Sequence, residues 1–364
     1  MNNQKTVAIA MSGGVDSSVA AALLLKQGYK VIGITMRLWM DERTSEAAAQ
    51  AHSTENDAAQ VAKILGIEHH LVDFKTIFRA TVVENFLQEY QAGRTPNPCV
   101  YCNKKIKFGV LYEKAKALGA DYLATGHYVR VLKDEEDYQR IAQATCKGKD
   151  QSYVLYHLQQ DILKHVLFPL GTLDKAQVRA MAAELKLPVF AKGESQEICF
   201  IPDDDHHRFL KEFSRQQEKP GQVVDIQGKI LGKHLGISHY TIGQRKGLGI
   251  AAPTPLYVIK IDAARNEVVL GTAEESLCQG LIAENTVFSD GKPLIFKQEL
   301  TVKIRYNAKP VPALVEPTSV EGEVLVTFLE PQRAPAPGQA VVFYRQEYCL
   351  GGGSILRGIS VAYN

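Results

Sequence analysis

Short apolar runs alternate with amphipathic segments along the first half of the chain. The runs at residues 7–10, 30–35, 69–73 and 121–124 are rich in β-branched and other apolar residues and predict strands. Apolar residues recur at helical spacing in residues 15–27, 55–65, 77–91 and 104–118. This alternation predicts a doubly wound α/β domain built on a mostly parallel sheet.

The pattern changes after about residue 187. One more helix is predicted at residues 203–217, and from Pro220 onward short alternating strands lie between glycines and prolines. This second pattern is typical of β-barrels and meanders. The sequence therefore predicts a multidomain α/β plus β protein. Its parts are an N-terminal α/β domain at 1–202, a small central mostly β domain at 203–280 and a C-terminal β-barrel at 281–364.

Composition narrows the class of protein. The chain is 45% hydrophobic, and its 42 basic and 40 acidic residues leave a formal charge of +2, so any nucleic-acid contact must be a local patch. The N-terminus has no secretory signal, and no apolar run reaches the roughly 18 residues of a membrane span. We therefore expect a cytoplasmic protein without membrane contact, in which the six cysteines are thiols, ligands or catalysts.

The stretch "AMSGGVDSS" lies between the first predicted strand and the first predicted helix. Its glycines and serines come where the unpaired N–H groups of a helix N-terminus point outward, which predicts an anion cradle. A glycine turn that only allows close packing is the alternative. The loop lacks the Gly-Lys-[Ser/Thr] ending of P-loop ATPases, so we expect no lysine in it to assist transfer of a terminal phosphate.

The stretch "GRTPNPCVYCNKKIKFG" holds the first pair of cysteines. Its prolines flank Asn97 and predict an extended loop before a helix that begins near Asn103. Cys102 would then lie near a helix N-terminus beside the lysines of "NKKIK", a setting that lowers a thiol pKa. Cys99 and Cys102 could instead be half of a zinc site. The sequence offers no second ligand pair at zinc spacing, so a reactive thiol is favoured.

The remaining cysteines have less support from their neighbours. Cys199 lies among Ile198, Phe200 and Ile201, and from the residues alone it is interpreted as a small buried hydrophobe. Cys146, Cys278 and Cys349 are interpreted as structural.

These stretches together resemble a known family. The glycine-rich loop resembles the SGGxDS loop of PP-loop ATPases, which cleave ATP between its first and second phosphates. Further along, "AGRTPNPCVYCNKKIKFG", "DYLATGHY", "KGKDQSYVLY", "ESQEICFIP", "TIGQRKGLGI" and "CLGGGSI" follow in the order found in tRNA-specific 2-thiouridylases. The likeness spans essentially the whole chain. It implies an adenine-nucleotide α-hydrolase-like fold for the first domain and tRNA uridine 2-sulfurtransferase activity.

The resemblance implies a binding site for ATP with Mg²⁺ near Asp16. Its residues would be Ala10, Met11, Ser12, Gly13, Gly14, Val15, Asp16, Ser17, Met36 and Gly126. ATP would adenylate O2 of uridine 34, which must be flipped from the anticodon to be reached. The family further implies Cys199 as the persulfide carrier and Cys102 as the second catalytic thiol, with a transient disulfide between them.

The resemblance also implies a tRNA-binding site. Its residues would be Asn97, Pro98, Cys99, His127, Lys149, Asp150, Gln151, Arg305, Tyr306 and Gln339. The expected substrates are tRNAs for lysine, glutamate and glutamine, and the expected sulfur donor is a cysteine desulfurase or a relay protein. A monomer is expected. "QRKGLG" forms a local basic loop consistent with RNA contact.

Three alternatives stay open. Some relatives carry an acid where this chain has Cys99, and Cys99, Cys102 and Cys199 would suit a [4Fe-4S] cluster with one open iron. A PP-loop ligase without sulfur chemistry would not need the cysteines. An RNA-binding module that uses ATP as a structural ligand would release no AMP.

Overall fold

The computed structural model describes residues 4–41, 45–193, 198–214 and 218–361, with the backbone alone over 45–52. The chain divides into two compact units. Unit 1 contains residues 1–83, 99–204 and 347–349, and unit 2 contains residues 84–98, 205–346 and 350–364. The division into domains at 1–202, 203–280 and 281–364 stays a prediction.

A parallel sheet forms the centre of unit 1. Its strands are β1 (Thr6–Ala10), β2 (Lys30–Arg37), β3 (Glu68–Asp73), β4 (Tyr122–Ala124) and, after the hairpin β5 (Val129–Lys133) and β6 (Gln139–Gln143), β7 (Val166–Leu167). The strand order is β3-β2-β1-β4-β7, and the pairs are parallel. The order reverses direction next to β1, so ligands are expected beyond its carboxyl end. The predicted parallel sheet is confirmed.

The first two helices of the chain are α1 (Val15–Lys26) and α2 (Ser45–Leu65). The others are α3 (Lys75–Phe78), α4 (Glu84–Gln91), α5 (Pro98–Cys102), α6 (Leu111–Ala117), α7 (Gln160–Leu163), α8 (Lys175–Glu184) and α9 (His206–Phe213). π-helical segments at Arg79–Val83 and Asn103–Val110 join α3 to α4 and α5 to α6. The two predicted helices at 77–91 and 104–118 are therefore continuous but wider in their middle turns.

Three predicted helices have clearly different bounds in the structure. The helix expected at 55–65 already begins at Ser45. The helix expected at 104–118 already begins at Pro98, because proline at the first helical position has a suitable φ and needs no N–H partner. The helix expected at 203–217 begins at His206, where the Asp205 side chain accepts a hydrogen bond from the Arg208 N–H at 2.8 Å. It ends at Phe213, and residues 215–217 lie outside the described residues.

Unit 2 is rich in antiparallel strands. Its first sheet contains β8 (Gly221–Asp225), β9 (Ile230–His234), β10 (Tyr257–Asp262) and β11 (Glu267–Gly271), in the order β10-β11-β8-β9. The barrel strands are β12 (Leu277–Phe288), β13 (Gln298–Lys303), β14 (Val311–Pro317), β15 (Val324–Arg333), β16 (Ala340–Arg345) and β17 (Tyr348–Ser360). Strand β12 pairs with both β15 and β17, which closes this sheet and confirms the predicted C-terminal barrel.

Each sheet packs against an apolar core of its own. In unit 1, Val7 and Ile9 of β1 pack with Val19 and Leu24 of α1. The barrel interior is filled by alternate strand residues such as Val302, Val326 and Phe343. Within the described residues, no helix combines the length and apolar character needed to cross a membrane.

Candidate active site

The glycine-rich loop lies at the carboxyl end of β1, the central strand of the parallel sheet. Helix α1 begins immediately after Gly14, and no side chain of the described residues caps its first turn. The serines instead bond within the loop: Ser12 N donates to Ser17 Oγ at 3.2 Å and Ser18 Oγ donates to Gly14 O at 2.8 Å. The N–H groups of this helix end therefore face outward, as an anion site requires.

Gly13 allows the loop to approach helix α2. Its φ is +63°, a conformation that residues with a side chain rarely adopt, and a Cβ at this position would lie 2.5 Å from the Thr54 carbonyl oxygen. Both the conformation and the space therefore require glycine here.

Gly126 and the end of β2 lie near the loop. A Cβ on Gly126 would lie 2.9 Å from the Ser17 N atom, so the Gly126 backbone packs directly on the start of α1. Thr35 Oγ1 donates to the Met11 carbonyl at 2.9 Å and places the following residue, Met36, beside the end of β1. Thus the residues expected to bind ATP surround the carboxyl end of β1.

Two lysines from distant parts of the sequence contact this loop. Lys175 Nζ lies 2.7 Å and 2.8 Å from the two Asp16 carboxylate oxygens, and Tyr128 Oη donates to the same carboxylate at 2.6 Å. Lys192 Nζ donates to the Gly13 carbonyl at 3.2 Å and to Asp57 at 2.7 Å. The loop itself lacks a lysine, as expected, but the fold supplies two that sequence reasoning missed.

The cysteines of the second motif lie on helix α5. Cys99 is exposed in its first turn, and Cys102 is buried at its last residue. Burial raises the pKa of Cys102 to about 11, while the ammonium of Lys107 lowers it and Cys99 raises it. The expected lowering of the Cys102 pKa was wrong, because desolvation of the thiolate outweighs the nearby positive charge and Cys102 is not at a helix N-terminus.

Cys199 belongs to the same group of thiols. Its side chain is exposed, so its interpretation as a buried hydrophobe was wrong, whereas Phe200 is buried against the ring of Phe78 at 5.8 Å between centroids. Surrounding protein atoms raise the pKa of Cys199 to about 12, and the Cys102 and Cys99 thiolates raise it further. The motif residues 194–197 lie outside the described residues.

These thiols do not form a metal site in the described part of the chain. No group of three or more His, Cys, Asp or Glu side chains there is arranged to hold a metal ion. The arrangement therefore does not fit the [4Fe-4S] ligand set of Cys99, Cys102 and Cys199, nor a zinc site that uses the Cys99–Cys102 pair.

Lys107, whose charge lowers the pKa values of Cys102 and Cys199, also contacts His127. Lys107 Nζ is 3.5 Å from His127 Nε2, and His127 Nδ1 is 2.6 Å from Thr125 Oγ1. Burial lowers the pKa of His127 well below its ordinary value, and Lys107 lowers it further. A neutral imidazole is therefore expected at pH 7.

Two of the residues expected to bind tRNA are engaged within unit 1. The buried Asp150 carboxylate accepts hydrogen bonds from Ala144 N at 3.0 Å and from Ser152 Oγ at 2.7 Å. Gln151 exchanges hydrogen bonds with the Tyr128 backbone at 2.9 Å and 3.1 Å. These contacts hold the turn that carries Lys149, which lies in a 3₁₀ helix at Lys147–Lys149.

Five of the residues expected to bind tRNA lie in unit 2, namely Asn97, Pro98, Arg305, Tyr306 and Gln339. Arg305 donates to the Ala334 carbonyl at 2.6 Å, and a Cβ on Gly243 would lie 2.9 Å from its Nη2 atom, so Arg305 packs against the "TIGQRKG" loop. Tyr306 is exposed, with Lys303 Nζ 5.6 Å from its ring centroid. Gln339 donates to the backbone just before Asn97 and Pro98.

Comparison with sequence families agrees with the order of these elements. Residues 5–203 match the tRNA methyl transferase HUP domain, residues 207–272 the tRNA methyl transferase PRC-barrel domain, and residues 278–355 the aminomethyltransferase β-barrel domain. These domain descriptions refer to methyl transfer, whereas the full-length relatives are named for thiolation.

The relatives match over nearly the whole chain. The tRNA-specific 2-thiouridylase MnmA 2 of Thermoanaerobacter sp. (strain X514) is 51% identical over 98% of this chain and 99% of its own. That of Carboxydothermus hydrogenoformans is 50% identical over 97% and 98%, and that of Desulforamulus reducens is 48% identical over 97% and 97%. A solved 4-thiouridine synthetase–RNA complex with bound ATP is 17% identical, with a TM-score of 0.36 over 57% of this chain and 50% of that chain.

Proposed function

The chain belongs to the family of tRNA-specific 2-thiouridylases, and from that premise we propose that it thiolates tRNA at C2 of the wobble uridine, position 34, using ATP. The observation that carries this proposal is the group of thiols beside Lys107. Cys102 and Cys199 are far apart in sequence, yet the Cys102 thiolate raises the pKa of Cys199 through space. A ligase without sulfur chemistry gives no reason for this proximity.

The first step is adenylation. Uridine O2 attacks the α-phosphorus of ATP, the bond to the β-phosphate oxygen breaks, and pyrophosphate leaves from the cradle at the N-terminus of α1. Ala10, Met11, Ser12, Gly13, Gly14, Val15 and Ser17 would surround the phosphates, with Met36 and Gly126 beside the nucleoside. The O2–adenylyl bond makes AMP a good leaving group.

Asp16 and Lys175 would together help to neutralise the negative charge of the phosphates during adenylation. The Asp16 carboxylate has the oxygen chemistry that Mg²⁺ prefers and lies in the phosphate loop. Mg²⁺ held by Asp16 would neutralise phosphate charge. Lys175 occupies both Asp16 oxygens in the free protein. Once ATP is bound, the Lys175 ammonium can move to the negative charge that develops on pyrophosphate.

The second step transfers sulfur. The terminal sulfur of a Cys199 persulfide attacks C2, AMP leaves, and the uridine is joined through that sulfur to the Cys199 Sγ atom. The Cys102 thiolate then attacks Cys199 Sγ, the S–S bond to the uridine sulfur breaks, and 2-thiouridine leaves with that electron pair. A Cys102–Cys199 disulfide remains. An external dithiol must reduce this disulfide, and a cysteine desulfurase or relay protein must reload the persulfide.

The second set of residues implied by the family resemblance would form the tRNA-binding site. Lys149 and Arg305 can neutralise phosphates, and exposed Tyr306 can stack on a base. The flipped uridine would lie near Asn97, Pro98 and Cys99. His127, Asp150 and Gln151 would support the tRNA-binding surface indirectly, because their side chains already form hydrogen bonds within unit 1.

Mass spectrometry of nucleosides tests the proposal. A tRNA transcript is incubated with protein, Mg-ATP, cysteine, a cysteine desulfurase and a dithiol. We expect 2-thiouridine and AMP from the wild type and no 2-thiouridine from Cys102→Ser or Cys199→Ser. Cys278→Ser, on barrel strand β12, is the matched control and should remain active.

The other outcomes separate the rival functions. Thiolation that appears only after anaerobic iron reconstitution would replace the persulfide route with the cluster. AMP release without thiolation that persists in both serine variants would indicate a ligase, and tRNA binding without AMP release would indicate a binding module.

A further inference from the structure

The loop at residues 94–97 is held by a turn of the barrel at residues 336–339. Gln339 Nε2 donates to the Thr95 carbonyl at 3.1 Å and to the Pro96 carbonyl at 3.0 Å. In the opposite direction, the Thr95 N–H donates to the Pro337 carbonyl at 2.8 Å. Two successive backbone carbonyls and one N–H of the loop are thus bonded to a single turn.

The turn itself is fixed to the barrel. Its Gln339 N–H donates to the Ala336 carbonyl at 3.1 Å, which closes the turn. Gly338 N donates to the Ile355 carbonyl at 2.9 Å, and Ile355 N donates to the Gln339 carbonyl at 2.8 Å, so the turn is bound to strand β17. It can therefore act as a rigid support for the loop.

The contact between turn and loop is close. A Cβ on Gly338 would lie 2.8 Å from the Thr95 carbonyl oxygen and 2.9 Å from Glu89 Oε2. Glu89 in turn forms an ion pair with Arg94, the first loop residue, at 2.7 Å from its Nε atom. Glycine at 338 thus permits the backbones to approach, while the ion pair holds the loop's first residue.

The chemistry of Gln339 suits a clamp. Its amide nitrogen has two hydrogens, and each carbonyl can take one of them. A direct contact with RNA through this nitrogen would have to break a bond within unit 2. The next two residues along the chain are Asn97 and Pro98, both expected at the target base, and Pro98 begins helix α5.

We propose that Gln339 is a positioning residue, which orients the backbone before Asn97 and Pro98 for the target uridine rather than binding tRNA through its amide nitrogen. This inference deepens the proposed function and rests on it for its effect on catalysis. The effect on the loop exists without tRNA. The effect on the loop and the effect on catalysis can therefore be measured separately.

Hydrogen–deuterium exchange of the tRNA-free protein tests the clamp. In Gln339→Glu the carboxylate cannot donate and faces two carbonyl oxygens, so the Thr95 amide should exchange about tenfold faster. Gln339→Met keeps the side-chain length without a charge. It provides a second test of the clamp if Gln339→Glu does not fold. Gln332→Glu is the matched control, because the Gln332 side chain donates to the Glu330 carbonyl two residues away at 2.9 Å.

Thiolation kinetics supply the second measurement. Loss of positioning should lower kcat about tenfold or more with little change in KM for tRNA. An unchanged Thr95 exchange rate would overturn the clamp whether or not the protein thiolates tRNA. Faster exchange with unchanged kcat, or with a rise in KM alone, would overturn the positioning role. If the wild type does not thiolate tRNA, the proposed function fails, while the exchange result still decides the clamp.

Discussion

At the scale of single residues, the site is governed by charges that come from distant parts of the sequence. Lys175 and Lys192 supply the positive charge that the glycine-rich loop lacks. Lys107 does the same for the thiols, where it opposes the desolvation that raises their pKa values. Desolvation by surrounding protein atoms nevertheless has the larger effect on the pKa values of Cys102 and Cys199. Both thiols are therefore expected to be protonated at rest.

The pH dependence of Cys102 alkylation tests this balance. A raised pKa means that the thiolate fraction is small at pH 7 and grows until the pH passes about 11. The iodoacetamide rate at Cys102, measured by peptide mass spectrometry, should rise about tenfold per pH unit from 7 to 9.5 without a plateau. Lys107→Met should slow it, and the exposed-site control Lys105→Met should not. A plateau below pH 9 would contradict the raised pKa.

The role in ATP cleavage that we propose for Lys175 can be tested. If Lys175 stabilises the developing pyrophosphate as proposed, Lys175→Met should lower the kcat of tRNA-dependent pyrophosphate release about 10²–10³-fold. Lys114→Met, on the exposed face of α6, is the control. If the Lys175 variant kept a kcat within a factor of about two, the residue would be only a structural partner of Asp16.

At the scale of elements, loop and helix ends carry the site, and their backbone conformations decide which residues fit. The glycine-rich loop passes from strand β1 to α1 through a left-handed residue, Gly13, under the Thr54 carbonyl. Helix α5 begins earlier than the sequence indicates, so Cys102 lies inside a helix rather than at its start. The consequence for Cys102 is burial and a raised pKa.

A pair of glycine variants separates conformation from space. Gly13→Ala and Gly28→Ala both force alanine into positive φ, but only at Gly13 would the Cβ meet another atom, at 2.5 Å. Gly28→Ala should lower the free energy of unfolding by about 1 kcal/mol, and Gly13→Ala by about 2–4 kcal/mol with loss of ATP binding. Urea unfolding and nucleotide titration measure both. Equal destabilisation by the two variants would show that the approach of α2 does not constrain the loop.

At the scale of the whole molecule, the near-neutral net charge of +2 requires that tRNA binding depend on a few local cations. Lys149 lies in unit 1, while Arg305, Arg245 and Lys246 lie in unit 2. Since each neutralised phosphate releases counterions, the number of contacts can be read from the salt dependence of binding.

A salt titration gives that number. With about four phosphate contacts, log K for tRNA should fall with log salt at a slope of about −3 to −4. Lys149→Gln should reduce the slope by about one, and Lys63→Gln, an exposed lysine of α2, should leave it unchanged. Filter binding or anisotropy at several salt concentrations measures both. A slope near −8 would mean that many more cations bind the RNA than these residues provide.

The sequence by itself determined the layers of the fold and the position of the glycine-rich loop. Periodicities of 3.6 and 2 are local properties, so the parallel sheet, its helices and the C-terminal barrel could be predicted from the chain. The glycine-rich loop could be placed because strand, glycines and helix are contiguous in residues 7–26. The same reasoning missed the start of α5, because proline is compatible both with an extended loop and with a first helical turn.

Only the tertiary structure decided the electrostatics and the partners of the site. Lys175 and Lys192 reach the loop because α8 and the residues after it pack near α1, and no local pattern encodes such a contact. The raised pKa of Cys102 follows from its depth in the protein, which adjacent lysines in the sequence cannot reveal. The Gln339 contact with Thr95 and Pro96 likewise joins barrel and loop across most of the chain. Local sequence determines hydrogen bonding and periodicity, whereas desolvation and long-range pairing depend on which surfaces the folded chain brings together.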